Sequence, residues 1–129
     1  MKCMVTGSPL PMVTWLLDEL TPSELDGARL GDYVTKDGNV VSFVNISRVS
    51  TEHGGEWTCI AHSEVGDIRY SASLTVFGPP HVRKMPNITL VAHETLRIKC
   101  PVGGIFDEIS WERSKLNLYS NLMMHEFLI

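Results

Sequence analysis

Three cysteines, Cys3, Cys59 and Cys100, are the residues of this chain best placed to do chemistry. The stretch HGGEWTCIAHSEVG, His53 to Gly66, frames the question: Trp57 lies two residues before Cys59, two glycines lie upstream and a turn follows. A thiol in that setting can be a metal ligand, a nucleophile or half of a disulfide. A zinc site would combine Cys59 with His53 and His62, yet no second short-spaced ligand pair accompanies them and Cys3 stands isolated. No metal is expected. A catalytic thiol needs a base partner, and no sequence context singles one out. With no nucleophile–base pair and no phosphate loop elsewhere, neither an enzyme nor a bound cofactor is expected. The five histidines read as surface or loop residues.

The elements that must position these cysteines read as strands. In Ile68 to Val76, Ile68, Tyr70, Ala72, Leu74 and Val76 share one face while Arg69, Ser71, Ser73 and Thr75 share the other. Val44-Asn45-Ile46 repeats the alternation, with the Asn pointing away from its apolar neighbours, and Trp57, Cys59 and Ala61 fall together. Turn residues separate the runs: Gly7 to Pro11, Asp37-Gly38, and Val65-Gly66-Asp67 as in a tight hairpin. Many short strands at such intervals predict an antiparallel sandwich or barrel rather than βαβ units.

Bulk properties narrow the class without naming it. The chain has 129 residues, 43% apolar and 20% charged, enough for one ordinary domain and a fraction more. The net charge is -4 and the basic residues are scattered, so no nucleic-acid stripe is present. No apolar run is long enough to span a bilayer. The N-terminal apolar stretch is broken by Pro9 and Pro11 and ends at Asp18 and Glu19, which does not read as a signal peptide. That alone suggests a cytosolic chain; the cysteine spacing and two glycosylation sequons outweigh it.

An internal repeat settles the role of Cys59. Cys3 precedes Trp15 as Cys100 precedes Trp111, each pair joined by a turn rich in Gly or Pro. The cysteines are 97 positions apart and the tryptophans 96, matching the length of one immunoglobulin-type domain, about 100 residues. Within the first copy Cys59 follows Cys3 by 56 positions with Trp15 between them. Cys…Trp…Cys is the pattern of two facing sheets joined by a disulfide packed on an indole. A loop of that length makes the link worth about 4 kcal/mol in the chain-entropy account, whose mechanism is disputed. Cys3 and Cys59 are therefore expected to be bonded, with Trp15, Trp57 and Trp111 as core residues.

Residues 3–129 resemble immunoglobulin-superfamily sequence of the I-set kind. VVSFVNISRVSTEHGGEWTCIAHSEVGDIRYSASLTVFGPPHVRKM, followed by HETLRIKCPVGG, is similar to the Down syndrome cell adhesion molecule (Dscam) family, especially its invertebrate members. The generic motifs are the Cys/Trp/Cys spacing and Val44-x-Ile46-x-x-Val49. The Dscam-like ones are VVSFVNIS, Gly54-Gly55, and ETLRIKCPVGG leading to ISWER. The match is read as the fifth immunoglobulin domain and the start of the sixth. One departure stands out. Where the family has Asp and Tyr in its D-x-G-x-Y-x-C corner, this chain has His53 and Trp57. Lacking the tyrosine hydroxyl, that turn is expected to be looser.

The fold expected is thus all-β, an immunoglobulin-like β-sandwich of the I-set. Residues 1–77 form a domain lacking its first strand, 78–80 a short stiff joint built on Pro79 and Pro80, 81–113 the first part of a second domain, and 114–129 a non-homologous tail. The resemblance is expected to stop near Arg113. In the tail, Leu118, Leu122 and Met123 have helix-like spacing, so it is expected to be helical or disordered. Translation of an intron or aberrant splicing is preferred over an amphipathic interaction helix as its origin, and Met1 reads as an internal methionine. Cys100, without a partner cysteine, is expected to be a free thiol. Asn45-Ile46-Ser47 and Asn87-Ile88-Thr89 are N-glycosylation sequons.

What the resemblance implies is a fragment of a cell-surface adhesion receptor. Its partners would be proteins, homophilic or other immunoglobulin-superfamily receptors, with no nucleic acid or small-molecule substrate. Its roles would be axon guidance and dendrite self-avoidance, and its place the extracellular side of the neuronal plasma membrane. Two rivals use the same fold: an intracellular domain of the muscle-scaffold type with reduced cysteines, and a secreted immune-recognition receptor.

Overall fold

Alternating apolar residues bounded by turns give strands, and six of them close into two facing sheets. A computed structural model describes residues 1–22, 25, 27–113, 116–119 and 126–128. The first six strands are β1 (Lys2–Val5), β2 (Met12–Leu17), β3 (Ala28–Val34), β4 (Val40–Ile46), β5 (Gly55–Ser63) and β6 (Gly66–Leu74). One sheet has the order β1-β4-β3 and the other β2-β5-β6, all neighbours antiparallel. The turn before β4 needs a positive φ, and Gly38 supplies it at 80°. Glu64 and Val65 form the two-residue loop between β5 and β6.

The core lies between the sheets. Val13, Trp15 and Leu17 from β2, Val40 and Val44 from β4, and Trp57, Cys59 and Ala61 from β5 form one buried cluster. The register places Trp15 opposite Cys59, and the Cys3–Cys59 disulfide crosses from β1 to β5 between the sheets. The two indoles meet edge to face, 6.4 Å between centroids. In β6 the residues read as one face do stand opposite β5's core residues, with Tyr70 beside Cys59 and Ile68 beside Ala61. They are nevertheless 76% and 70% exposed, because β6 is the outer strand of its sheet and the core is centred under β5.

After Pro80 come β7 (His81–Val82), β8 (Arg97–Lys99), β9 (Val102–Gly103) and β10 (Ser110–Arg113). Two further strands lie in the segment whose apolar spacing suggests a helix: β11 (Leu116–Tyr119), paired with β10, and β12 (Glu126–Leu128), paired with β8. Where described, then, the tail is extended rather than helical. Leu118 stands opposite Trp111 in a four-residue antiparallel ladder. Backbone pairing to an available strand edge outweighs a short helical periodicity, because a helix this brief carries its nucleation cost with few bonds to offset it. Leu122 and Met123 lie outside the described residues.

Candidate functional site

The richest polar arrangement lies where the β1–β6 sandwich meets the strands after Pro80. It is built from the corner that the HGG stretch forms. Ser50 begins a 3-10 turn, Thr51–His53, and the His53 Nδ1 atom accepts the Ser50 backbone N–H at 2.9 Å. The Ser50 hydroxyl lies 3.0 Å from the same nitrogen. His53 is in a loop as expected, but it is buried, 1% exposed, rather than on the surface. Its ring caps the turn from inside the fold, replacing water as the partner for the turn's first backbone groups.

The expected looseness of this corner does not occur. The Trp57 indole N–H donates to the His53 carbonyl at 2.9 Å, in a fully buried setting. Tryptophan thus supplies both the volume and the donor of a corner tyrosine, reaching the backbone four residues upstream instead of through a hydroxyl. The other core indole is satisfied separately: Trp15 Nε1 donates to the Ser42 hydroxyl at 2.9 Å, and Ser42 donates onward to Asp32 at 2.6 Å. Trp111, in β10, is half-buried.

Gly54 and Gly55 have distinct jobs. Gly55 has φ 139°, and a Cβ there would stand 2.5 Å from the Asp18 carboxylate. The space left by the missing side chain lets Asp18 accept the Glu56 backbone N–H at 2.8 Å, while the Asp18 N–H donates to the Glu56 carbonyl at 2.8 Å. The other Asp18 oxygen is ion-paired with Arg83, a residue from beyond the joint. Arg83 also donates to the Glu52 carbonyl at 2.9 Å and the Gly54 carbonyl at 2.6 Å. Only 9% of Arg83 is exposed, and burial pushes its guanidinium below its ordinary pKa, opposed by nearby Cys100. At the rim, His81 Nε2 lies 3.9 Å from the Glu52 carboxylate.

Backbone contact completes the seam. A Cβ on Gly103 would fall 1.8 Å from the Thr51 carbonyl oxygen, so β9 and the 3-10 turn touch backbone to backbone. Gly104, at φ 85°, would meet the Pro79 carbonyl at 2.5 Å if it carried a Cβ, and the Ile105 N–H donates to the Gly78 carbonyl at 3.2 Å. A cleft of about 550 Å³ runs along one side, between Gly54-Gly55-Glu56 and Lys99 to Gly104. Cys100 lines it as a free, half-buried thiol. Desolvation pushes its pKa above the ordinary thiol value, and the Arg83 charge works in the opposite direction.

The sequons are both on the surface. Asn45 is exposed on β4, paired with Arg29 of β3 and turned away from the core, and Asn87 is exposed in the loop after β7. Sequence reasoning missed Arg83 and Asp18 altogether. Neither belongs to a motif, and they lie 65 positions apart, so only tertiary structure brings them together.

This sandwich, with its cross-sheet disulfide on a buried indole, has the architecture of an immunoglobulin domain, and the profile of the family described as "Immunoglobulin domain" matches residues 1–63. The chain belongs to the immunoglobulin superfamily. Within it, the chain is 42% identical to cell adhesion molecule Dscam2 of Drosophila melanogaster over 114 residues, which is 88% of this chain and 6% of that protein. It is 43% identical to cell adhesion molecule Dscam1 of the same organism over 122 residues, 94% of this chain and 6% of that protein. A crystal structure of the N-terminal eight immunoglobulin domains of DSCAM isoform 1.30.30 superposes with a TM-score of 0.77 at 43% identity, covering 93% of this chain and 16% of that one. The chain therefore spans about 6% of the length of the curated relatives it matches.

Proposed function

We propose that this chain is a segment of a cell-surface adhesion receptor of the Dscam type. The observation that carries this reading is the 43% identity and 0.77 TM-score to the DSCAM immunoglobulin domains over 93% of the chain, across the joint as well as the sandwich. The partners are proteins, either a second receptor copy or other immunoglobulin-superfamily receptors, and the roles are homophilic adhesion, axon guidance and dendrite self-avoidance. The segment faces the outside of the neuronal plasma membrane and performs no catalysis. In this reading residues 1–77 are one domain, 78–80 the joint and 81–113 part of a second. Cys3–Cys59 is a bond made in an oxidising compartment, and Asn45 and Asn87 carry glycans. The muscle-scaffold reading is not favoured, because the relatives above 40% identity over most of the chain are adhesion molecules.

The test is to secrete the chain from animal cells and weigh it under non-reducing conditions. The expected mass is two hydrogens below the fully reduced value after glycosidase treatment, with glycan present before it. Two free, alkylatable thiols at Cys3 and Cys59 in folded secreted protein would sink the extracellular reading. For adhesion itself, beads carrying the parent receptor's ectodomain should aggregate, and soluble ectodomain should compete.

A further inference from the structure

We infer that Arg83 is a latch that fixes the angle between the β1–β6 sandwich and the strands after Pro80. This makes the guanidinium a positioning residue for the whole chain path, whatever the receptor binds.

A joint of three residues limits reach but not rotation. Pro79 and Pro80 restrict their own φ angles and leave ψ, and the torsions of Gly78, free to turn. Separately folded units on such a joint move relative to one another unless their shared surface is large and apolar. Fixed geometry across such a joint is secured by directional bonds. Arg83 supplies them. One planar group binds the Asp18 carboxylate and the carbonyls of Glu52 and Gly54, three acceptors on two separate segments of the sandwich. A planar cation held at both terminal nitrogens, Nη1 by two carbonyls and Nη2 by the carboxylate, defines an orientation, as a point charge does not.

Burial makes the latch directional in energy as well. Arg83 is almost out of water, so swinging the joint open would strip the guanidinium of its acceptors before solvent could fully replace them. The acceptors are themselves held. Asp18 is tied to Glu56 in both directions, and the Glu52–Gly54 carbonyls belong to a turn fastened by the Trp57 indole and the His53 ring. Behind the latch, Gly103 lies against Thr51 with no room for a Cβ, which blocks closure beyond the observed angle. Arg83 resists opening and the backbone contact resists over-closing.

Residual dipolar couplings of the isotope-labelled full chain test this directly. In the unmodified chain one alignment tensor should fit the amides of β1–β6 and of β7–β10 together. In Arg83→Ala and in Asp18→Asn, two tensors should be needed, with the couplings after Pro80 scaled down by averaging. The exposed Arg48→Ala should leave the single tensor intact. If the strands after Pro80 lose amide dispersion in Arg83→Ala, the decision falls on Asp18→Asn, which changes no residue on their side of the seam. A single tensor retained in Asp18→Asn, and in Arg83→Ala where that variant stays folded, overturns the latch. So does an unmodified chain that already needs two.

Discussion

A buried indole N–H must find an acceptor, and the two core tryptophans find different ones. Trp15 uses a side chain, Ser42, which then leans on Asp32. Ser42→Ala deletes that acceptor and leaves the Trp15 N–H unpaired in the core. Urea unfolding should show a loss of about 1–3 kcal/mol, the usual cost of a buried orphaned polar group. Trp57 uses a carbonyl, that of His53. Trp57→Phe keeps most of the ring and removes the donor, so a loss of similar size is expected, larger if the smaller ring leaves a cavity. Cys100 gives a pH signature. Its folded pKa is raised by burial, so the thiol contribution to stability is whole below the ordinary thiol range and is lost as pH rises through the raised value. Comparing the chain with Cys100→Ser in urea at neutral and at strongly alkaline pH should show the unmodified chain losing more between the two. Equal losses would mean the thiol is freely solvated.

Elements add what residues cannot. The disulfide joins β1 to β5 across a sequence separation of 56, and Cys3→Ala with Cys59→Ala should lower stability by about 4 kcal/mol in the chain-entropy account. Thermal unfolding with and without reductant would check it, and coincident curves would contradict it. A glycine limits the same sheet system elsewhere. A Cβ on Gly31 of β3 would sit 2.7 Å from the end of the Phe43 ring on β4. Gly31→Ala should therefore cost about 1–3 kcal/mol unless that ring swings aside, since overpacking forces a neighbour off its preferred geometry. The strand pattern and the facing of Trp57, Cys59 and Ala61 were readable from period-2 alternation, and the hairpin between β5 and β6 from the turn residues around Gly66. The tail was not. Its apolar spacing read as helical, and the choice was made by strand pairing, of β11 with β10 just upstream and of β12 with β8.

At the scale of the whole molecule, shape is the property the fold would contribute under the proposed reading as a receptor segment. A receptor built from successive sandwiches presents its recognition surfaces only as well as its joints hold their angles. Gly103→Ala should disturb this more than its size suggests, because the new Cβ would collide with the Thr51 backbone rather than with a yielding side chain. Small-angle scattering of that variant should show a larger radius of gyration, with the tryptophan fluorescence of the sandwich unchanged. An unaltered scattering curve would mean β9 can yield without moving the joint.

What the sequence determined by itself is local or periodic: alternating strands, turn glycines, a Cys–Trp–Cys rhythm and a repeat offset near one domain length. The strands and turns are written in neighbouring positions, because side-chain direction in a strand depends only on odd or even count and a turn depends only on the residues within it. The cysteine rhythm and the repeat offset are written in spacings that can be counted along the chain. What the tertiary structure alone decided is how groups distant in the chain satisfy one another. An indole proton took the place of a missing hydroxyl, a histidine went inside, and an arginine without a motif met an aspartate 65 positions away in the chain. Such pairings arise because desolvated polar groups must be matched in space, and spacing along the chain carries no record of that demand.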